Sequence, residues 1–153
     1  MKSPARLLLA FALAALAPAA APAQSGGRTM VSDPAARARL QRTSGVTLQW
    51  ISFEAPARGH VRVTREGGLY RLRGEQRARR GPGRLTLDGT VTEIGPRNFL
   101  FLGRIVITDA PDAGRECVRD GEFDFLVAGR RRYWRLQQME VCDGLTDYVD
   151  IYF

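Results

Sequence analysis

From Val46 to the C-terminus, apolar residues recur at alternate positions, in runs separated by turns rich in glycine and proline. Alternation with a period of two is the pattern of β-strands that bury one face. It predicts strands at about 47–54, 60–66, 69–79, 84–94, 98–108, 122–128, 131–140 and 147–153. Most connections between them are short, so sequential neighbours should pair antiparallel in an eight-stranded meander.

The same alternation identifies the face that should point into the core. Its predicted members are Val61, Val63, Tyr70, Leu72, Leu85, Leu87, Val91, Phe99, Phe101, Ile105, Ile107, Phe123, Phe125, Val127, Trp134, Leu136, Val149, Ile151 and Phe153. Strand 98–108 is apolar on its other face as well, because Leu100, Leu102 and Val106 lie there. We therefore expect another element to cover that strand, and the segment around Leu40 is the candidate.

Residues 33–45 carry the end signals of a short helix. Asp33 can accept hydrogen bonds from the free amides of the first turn, and Pro34 suits the first helical position. Gly45 suits the left-handed residue that follows a helix. Leu40 is the only large apolar side chain of this segment. The helix is therefore expected to lie on the domain or to cover one end of it, and to add little to the core.

A meander with one apolar face must hide that face and its edges from water. It can do so by closing into a barrel or by folding over as a sandwich. The predicted fold class is all-β: a small antiparallel eight-stranded barrel or sandwich, preceded by one short helix, in a single domain at 33–153. The interior of an eight-stranded barrel holds side chains or one small ligand.

Residues 1–23 have the composition of a secretory signal peptide. Lys2 and Arg6 form a basic start, residues 7–16 are apolar, and residues 21–23 form an A-x-A cleavage site. The apolar run is much shorter than the roughly 20 residues of a transmembrane helix. We therefore expect a periplasmic or secreted protein without a transmembrane helix, whose mature chain begins with a flexible leader at 24–32.

The expected export of the chain determines the expected oxidation state of its two cysteines. In an oxidising compartment, Cys117 and Cys142 are expected to form a disulfide. The two thiols and the single His60 are too few for a four-ligand zinc site. Closing a loop of this size stabilises a folded chain by about 3 kcal/mol in the chain-entropy model.

The mature chain is basic and contains arginine but no lysine: 21 arginines against 16 acidic residues, a net charge of +5. Residues 58–84 hold nine arginines against two glutamates. Alternate residues of the predicted strand 69–79 lie on one face of the sheet. Arg62, on the preceding strand, should lie on the same face. The resulting candidate anion site consists of Arg62, Arg71, Arg73, Arg77 and Arg79. Guanidinium groups suit phosphate, sulfate and carboxylate, although the same arginines also fit a solvated outer face that resists edge pairing.

The motifs of the common catalytic sites are absent from the sequence. It has no G-x-S-x-G motif, no lysine after residue 23 and one histidine, His60, which the pattern places at a strand start. These observations predict no enzyme, no cofactor and no metal. Two acidic segments form the alternative, since a disulfide would bring Asp109, Asp112 and Glu116 close to Asp143, Asp147 and Asp150. They could serve a hydrolase or a cation site, or pair with Arg130, Arg131 and Arg132.

The last strand, 147–153, alternates up to a terminal phenylalanine. In this respect it resembles the closing strand of outer-membrane β-barrels. Strand 69–79 does not fit such a barrel, because neither of its faces is apolar at every alternate position. The architecture also resembles lipocalin-like and avidin-like barrels, without the G-x-W motif of lipocalins.

The sequence therefore favours an exported binding protein of a bacterial-type cell envelope, which engages an anionic ligand or a protein partner through the candidate arginines. Nucleic acid is disfavoured because no exposed aromatic residues alternate with the arginines. The alternatives are a carrier of small apolar ligands, a hydrolase or cation-binding protein, and a small outer-membrane barrel.

Overall fold

The computed structural model describes residues 27–53 and 58–153, so the predicted signal peptide and residues 24–26 of the predicted leader lie outside the described residues. The elements are β1 (Met30–Val31), α1 (Pro34–Leu40), β2 (Gly45–Leu48), α2 (Gln49–Ser52), β3 (His60–Glu66), β4 (Leu69–Arg77), β5 (Arg84–Ile94), β6 (Asn98–Thr108), β7 (Glu116–Leu126), β8 (Tyr133–Leu136) and β9 (Val149–Tyr152). In this part of the chain, neither helix is long and apolar enough to cross a membrane.

Strands β2 to β9 form an antiparallel barrel that is nearly closed. Each strand from β3 to β9 pairs with its neighbour in sequence, and β2 pairs with β9. A bridge between β2 and the residue before β3 brings the edges together, with Gly59 N–H donating to Val46 O at 2.8 Å. Only glycine fits there, because a Cβ on Gly59 would lie 2.1 Å from the carbonyl oxygen of Glu75. The predicted eight-stranded antiparallel fold is confirmed, and it is a barrel.

The barrel interior is filled by the predicted inward-facing side chains. Phe99 stacks on Phe125 with ring centroids 4.9 Å apart, and the edge of Trp134 meets Phe99 at 5.5 Å. Beside Phe101, the inner wall lacks side chains at Gly89 and Gly103, where a Cβ would lie 2.6 and 2.8 Å from the Phe101 ring. Because aromatic rings occupy this space, the interior lends no support to the small-ligand carrier.

Strand β7 begins at Glu116, six residues before the predicted start at 122. The sequence pattern did not indicate this part because an inward position holds the polar side chain of Arg119, which is buried. Cys117, Arg119 and Phe123 all lie at inward positions of β7, so their spacing is regular. The charged Arg119 interrupts the series of apolar residues. The β6–β7 connection therefore spans 109–115 instead of the 109–121 left by the predicted strands.

The prediction of a strand at 47–54 is wrong for residues 49–52, and residue 54 lies outside the described residues. After Leu48 the chain turns into the four-residue helix α2. Three further strands are shorter than predicted: β4 ends at Arg77 instead of 79, β8 spans Tyr133–Leu136, and β9 spans Val149–Tyr152.

The described part of the predicted flexible leader, residues 27–32, is fixed to the barrel. Strand β1 pairs parallel with β5, with Val31 opposite Ile94. The buried Thr29 hydroxyl donates to Val91 O at 2.6 Å and accepts from Tyr70 N–H at 3.0 Å. Thr29 thereby joins β4 to β5 at the end of their direct pairing. The prediction that residues 27–32 are flexible is corrected by these contacts.

Helix α1 is shorter than the predicted 33–45 segment, but its N-terminus is as predicted: Asp33 Oδ1 accepts from Ala36 N–H at 2.8 Å. Its apolar side carries Ala36 and Leu40, both fully buried in the core cluster. The expectation that this helix adds little to the core is therefore wrong for Leu40. Gly45, predicted to end the helix, instead begins β2.

The two ends of the barrel have different components. The α1 end consists of α1, the C-terminal Phe153, and the β3–β4, β5–β6 and β7–β8 turns. The disulfide end consists of α2 and the β4–β5, β6–β7 and β8–β9 connections. The predicted covering of strand 98–108 by the Leu40 helix is wrong, because α1 packs on the barrel end and leaves Leu102 half exposed on the outer face of β6.

Candidate functional site

Four of the five arginines predicted to bind anions project from the outer face of two neighbouring strands. Arg62 lies on β3, and Arg71, Arg73 and Arg77 occupy alternate positions of β4. Arg79 lies beyond the end of β4, in the β4–β5 turn. The structure therefore brings four of the candidates together on one face and places the fifth at the disulfide end.

Part of this positive charge is neutralised by Asp88 on β5. Arg71 Nη2 lies 2.7 Å from Asp88 Oδ1, and Arg73 Nε lies 3.5 Å from the same oxygen. Arg71 is therefore committed to an ion pair, whereas Arg73 is held more weakly and is exposed to solvent.

Glu75 neutralises the charge at the other end of β4. It pairs with Arg77 and with Arg84, whose Nε lies 3.1 Å from Oε1. Burial opposes the charged form of Glu75, yet its pKa is below the usual value because hydrogen bonds and charges from Arg77 and Arg84 favour the carboxylate. Arg77 is therefore a partner of Glu75 rather than a free cation.

Two of the arginines remain in a less favourable arrangement. Arg62 lies directly opposite Arg73 in the β3–β4 register, and like charges in such positions destabilise a sheet. Within the described residues, Arg62 forms no ion pair. Together with His60, Gly74 and Glu75, these two arginines line a pocket of about 430 Å³, which we call the arginine groove.

The next strands show that the excess charge is local. In the row of residues that contains Arg73, Asp88 on β5 lies opposite Arg104 on β6. Arg104 in turn lies opposite Asp120 on β7. Arg104 Nε lies 2.7 Å from Asp120 Oδ1. The hydrogen bond from Arg104 lowers the pKa of Asp120, and the same contact raises the pKa of Arg104. Opposite charges thus alternate from β5 to β7, while β3 and β4 set two cations side by side.

The acidic candidates occupy the disulfide end. Cys117 and Cys142 form the predicted disulfide, with Cα atoms 5.9 Å apart. Asp112, Glu116 and Asp143 are exposed. Asp109 Oδ1 accepts from Gly114 N–H at 2.7 Å within its own loop. Among the described residues, no three His, Cys, Asp or Glu side chains are grouped to hold a metal ion.

Asp147 differs from the other acids because it is fully buried between two arginines. Arg115 Nη2 donates to Asp147 Oδ2 at 3.0 Å, and Arg119 Nη2 binds the same oxygen. Trp50 Nε1 donates to Oδ1 at 2.8 Å. Arg115, Arg119 and Asp147 form what we call the buried ionic cluster, which ties α2, β7 and the β8–β9 connection together.

The two guanidinium groups of the buried ionic cluster experience different surroundings. Burial lowers the pKa of Arg119, although Asp147 opposes this shift. The hydrogen bond to Asp147 raises the pKa of Arg115 despite burial. Each group also binds a main-chain carbonyl, Arg115 that of Ala110 at 2.8 Å and Arg119 that of Gln138 at 2.9 Å. These contacts fix the geometry of two loops and leave Asp147 surrounded by donors, unlike a catalytic base open to substrate.

Asp150, the last acidic candidate, pairs with Arg135 through two 2.7 Å contacts, and this hydrogen bonding raises the pKa of Arg135. The predicted partners Arg130, Arg131 and Arg132 form no ion pairs in the described part of the chain. Arg115, Arg119 and Arg135 were thus not among the site residues predicted from the sequence. The regular spacing of Arg119 with Cys117 and Phe123 is the one signal that could have placed it inside the barrel.

The chain is similar to one family of known proteins. The model of the PM1083 family matches residues 28–153. A protein of Pasteurella multocida (strain Pm70), named "Uncharacterized protein PM1083", is 37% identical over 108 residues, which cover 69% of this chain and 68% of the relative. No solved structure matches the chain. With a match over nearly the whole described domain, the chain belongs to the PM1083 family.

Proposed function

We propose that this protein is an exported binding protein of the cell envelope, which engages an anionic ligand or partner through the arginine groove. The proposal includes no catalytic activity. The observation that carries it is the directly opposed pair Arg62 and Arg73, whose positive charges are not fully matched by neighbouring acids.

An anionic group held between these two side chains would relieve their repulsion. Each guanidinium can donate two parallel hydrogen bonds to phosphate, sulfate or carboxylate. Arg71 and Arg77 flank the pair on β4, but acids already neutralise their charges, so Arg62 and Arg73 supply the attraction for the ligand. The same ion pairs hold the two flanking arginines in position.

The export part of the proposal rests on the n-region, apolar run and A-x-A site of residues 1–23. Two findings support it. The disulfide is expected in an oxidising compartment, and the family match begins at Arg28, beyond the proposed cleavage site.

Binding to a soluble polyanion tests the proposal. Affinity of the oxidised protein for fluorescein-labelled dextran sulfate and for polyphosphate should fall steeply with salt, because salt screens exposed charges. The variant Arg62→Glu/Arg73→Glu should lose at least about tenfold in affinity, which corresponds to about 1.4 kcal/mol.

The matched control is Arg130→Glu/Arg132→Glu, which makes the same change of net charge at two exposed positions of the β7–β8 turn. It should retain most of the affinity. Binding that is insensitive to salt, or an equal loss in both variants, would contradict a role for the groove. Cleavage after Ala23, detected by N-terminal sequencing of the secreted chain, tests the export proposal separately.

A further inference from the structure

The disulfide end contains a second pocket, separate from the arginine groove. It has a volume of about 220 Å³ and lies between α2, the β4–β5 turn and the β6–β7 loop. We call it the mouth pocket. Barrel mouths are frequent sites of small-molecule binding, and this pocket is large enough for a molecule of a few heavy atoms.

The walls of the mouth pocket are held by specific contacts. Gly83 packs so closely on the β6–β7 loop that a Cβ would lie 3.2 Å from Asp109 O. The Trp50 indole is fixed by its hydrogen bond to Asp147, and Ala110 O accepts from Arg115. The buried ionic cluster thus supports two of the three walls, and a preformed site loses little conformational freedom when a ligand binds.

Residues of both charges line the mouth pocket. Arg79 and Arg80 line it from the β4–β5 turn, and Asp109 lines it from the β6–β7 loop. Within the described residues, neither arginine forms an ion pair with Asp109. One carboxylate oxygen of Asp109 accepts from Gly114 N–H within the β6–β7 loop.

Apolar side chains complete the lining. Trp50 and Ile51 come from α2, and Pro111 comes from the β6–β7 loop. A ligand that fits these surfaces carries an anionic group towards the arginines, a cationic group towards Asp109 and an apolar body between them.

We propose that the mouth pocket binds a small zwitterion with one apolar substituent, which is the chemistry of a free amino acid with an apolar side chain. Its carboxylate contacts Arg79 and Arg80, its ammonium group contacts Asp109, and its side chain packs on Trp50. This site is independent of the arginine groove and of the proposed function.

Three ligands that differ by one charged group test the proposal. Leucine carries both charges, 4-methylpentanoate lacks the ammonium group and 3-methylbutylamine lacks the carboxylate. Titrations of the oxidised protein are followed by the NMR signal of the Trp50 indole N–H. Leucine should bind at least about tenfold more tightly than either analogue, a difference of about 1.4 kcal/mol. Equal affinity for all three ligands, or no shift with leucine at tens of millimolar, would overturn the proposal.

Two variants then test which residues of the pocket bind each charged group of the ligand. Arg79→Ala/Arg80→Ala should weaken leucine and 4-methylpentanoate and leave 3-methylbutylamine unchanged. Asp109→Asn should weaken leucine and the amine and leave the carboxylate unchanged. Asparagine tolerates the positive φ of 53° at this position and keeps an acceptor for Gly114 N–H.

The matched controls are Arg130→Ala/Arg132→Ala and Asp112→Asn, which change exposed charges outside the pocket lining. They should bind leucine as the unaltered protein does. Arg62→Glu/Arg73→Glu should also bind leucine normally, so failure of this inference is distinguishable from failure of the polyanion experiment. Leucine affinity that stays unchanged in both pocket variants would place the ligand elsewhere and contradict the assignment.

Discussion

The two ends of the barrel are closed by different physical means. At the α1 end, Ala36 and Leu40 bury apolar surface on the core, and Arg39 lies over the Phe153 ring at 5.3 Å. At the disulfide end, a covalent bond and the buried ionic cluster hold three connections together. The α1 end therefore depends mainly on hydrophobic burial, and the disulfide end depends on a covalent bond and on charges that must remain paired.

This difference has consequences for how each end tolerates change. Apolar contacts weaken gradually when a side chain is shortened. A buried charge that loses its partner is destabilising by several kcal/mol, even though the intact pair adds little net stability. The disulfide end should accordingly be the more sensitive of the two, and it carries the mouth pocket.

The largest expected effect is that of Asp147→Asn. It leaves Arg119 buried without a counterion and Arg115 with only the exposed Asp143, so the free energy of unfolding should fall by about 3–5 kcal/mol. Urea denaturation measures this. The control is Asp143→Asn, whose carboxylate also contacts Arg115 but is exposed, and it should cost less than about 1 kcal/mol. Equal losses in the two variants would show that the cluster is not the critical contact.

The second effect is that of removing the disulfide. Cys117→Ala/Cys142→Ala should lower the free energy of unfolding by about 3 kcal/mol, because the unfolded chain regains the freedom of a loop closed over 25 residues. Dithiothreitol should shift the denaturation midpoint of the original protein in the same direction and should leave the variant unaffected. A midpoint that does not change on reduction would contradict this assignment.

A smaller loss is expected at the α1 end. Leu40→Ala should cost about 2–3 kcal/mol, since a short peripheral helix can move to fill part of the space. Met30→Ala, at an exposed position, is the control and should have little effect. Hydrogen exchange compares the two ends directly. The Asp147 amide, which donates to Met139 O at the disulfide end, should keep its protection against exchange in Leu40→Ala.

The smallest effect is that of the helix cap. Asp33→Ala removes the acceptor of the Ala36 amide and should lower the free energy of unfolding by about 1 kcal/mol. Asp33→Asn retains an acceptor and should lose less. An equal loss would indicate that the charge, rather than the hydrogen bond, stabilises α1.

The sequence predicted most of the barrel because its inner face follows a simple rule. Alternation of apolar residues placed Phe99, Phe101 and Phe125 inside, and the turn residues separated the strands. The Asp33 cap and the disulfide were also predictable, since each depends on a local signal or on cysteine count.

The features that escaped prediction depend on contacts between distant parts of the chain. Arg119 has a polar side chain at an inward position, which its partners Asp147, 28 residues away, and Gln138 O, 19 residues away, make tolerable. Strand β1 consists of two residues, and its pairing with β5 depends on the Thr29 hydroxyl reaching Val91 O. The arginine residues of the groove could be named from sequence, but the opposition of Arg62 and Arg73 required the β3–β4 register.

The anchoring of Thr29 also determines how the molecule can be attached to anything else. The chain enters the barrel at the β3–β4 turn, where Thr29 N–H donates to Gly68 O, and Phe153 lies against Arg39 at the same end. Any tether, fusion partner or surface linkage joined before residue 27 or after residue 153 therefore emerges at the α1 end. The mouth pocket would then face away from the point of attachment and remain open to diffusing molecules.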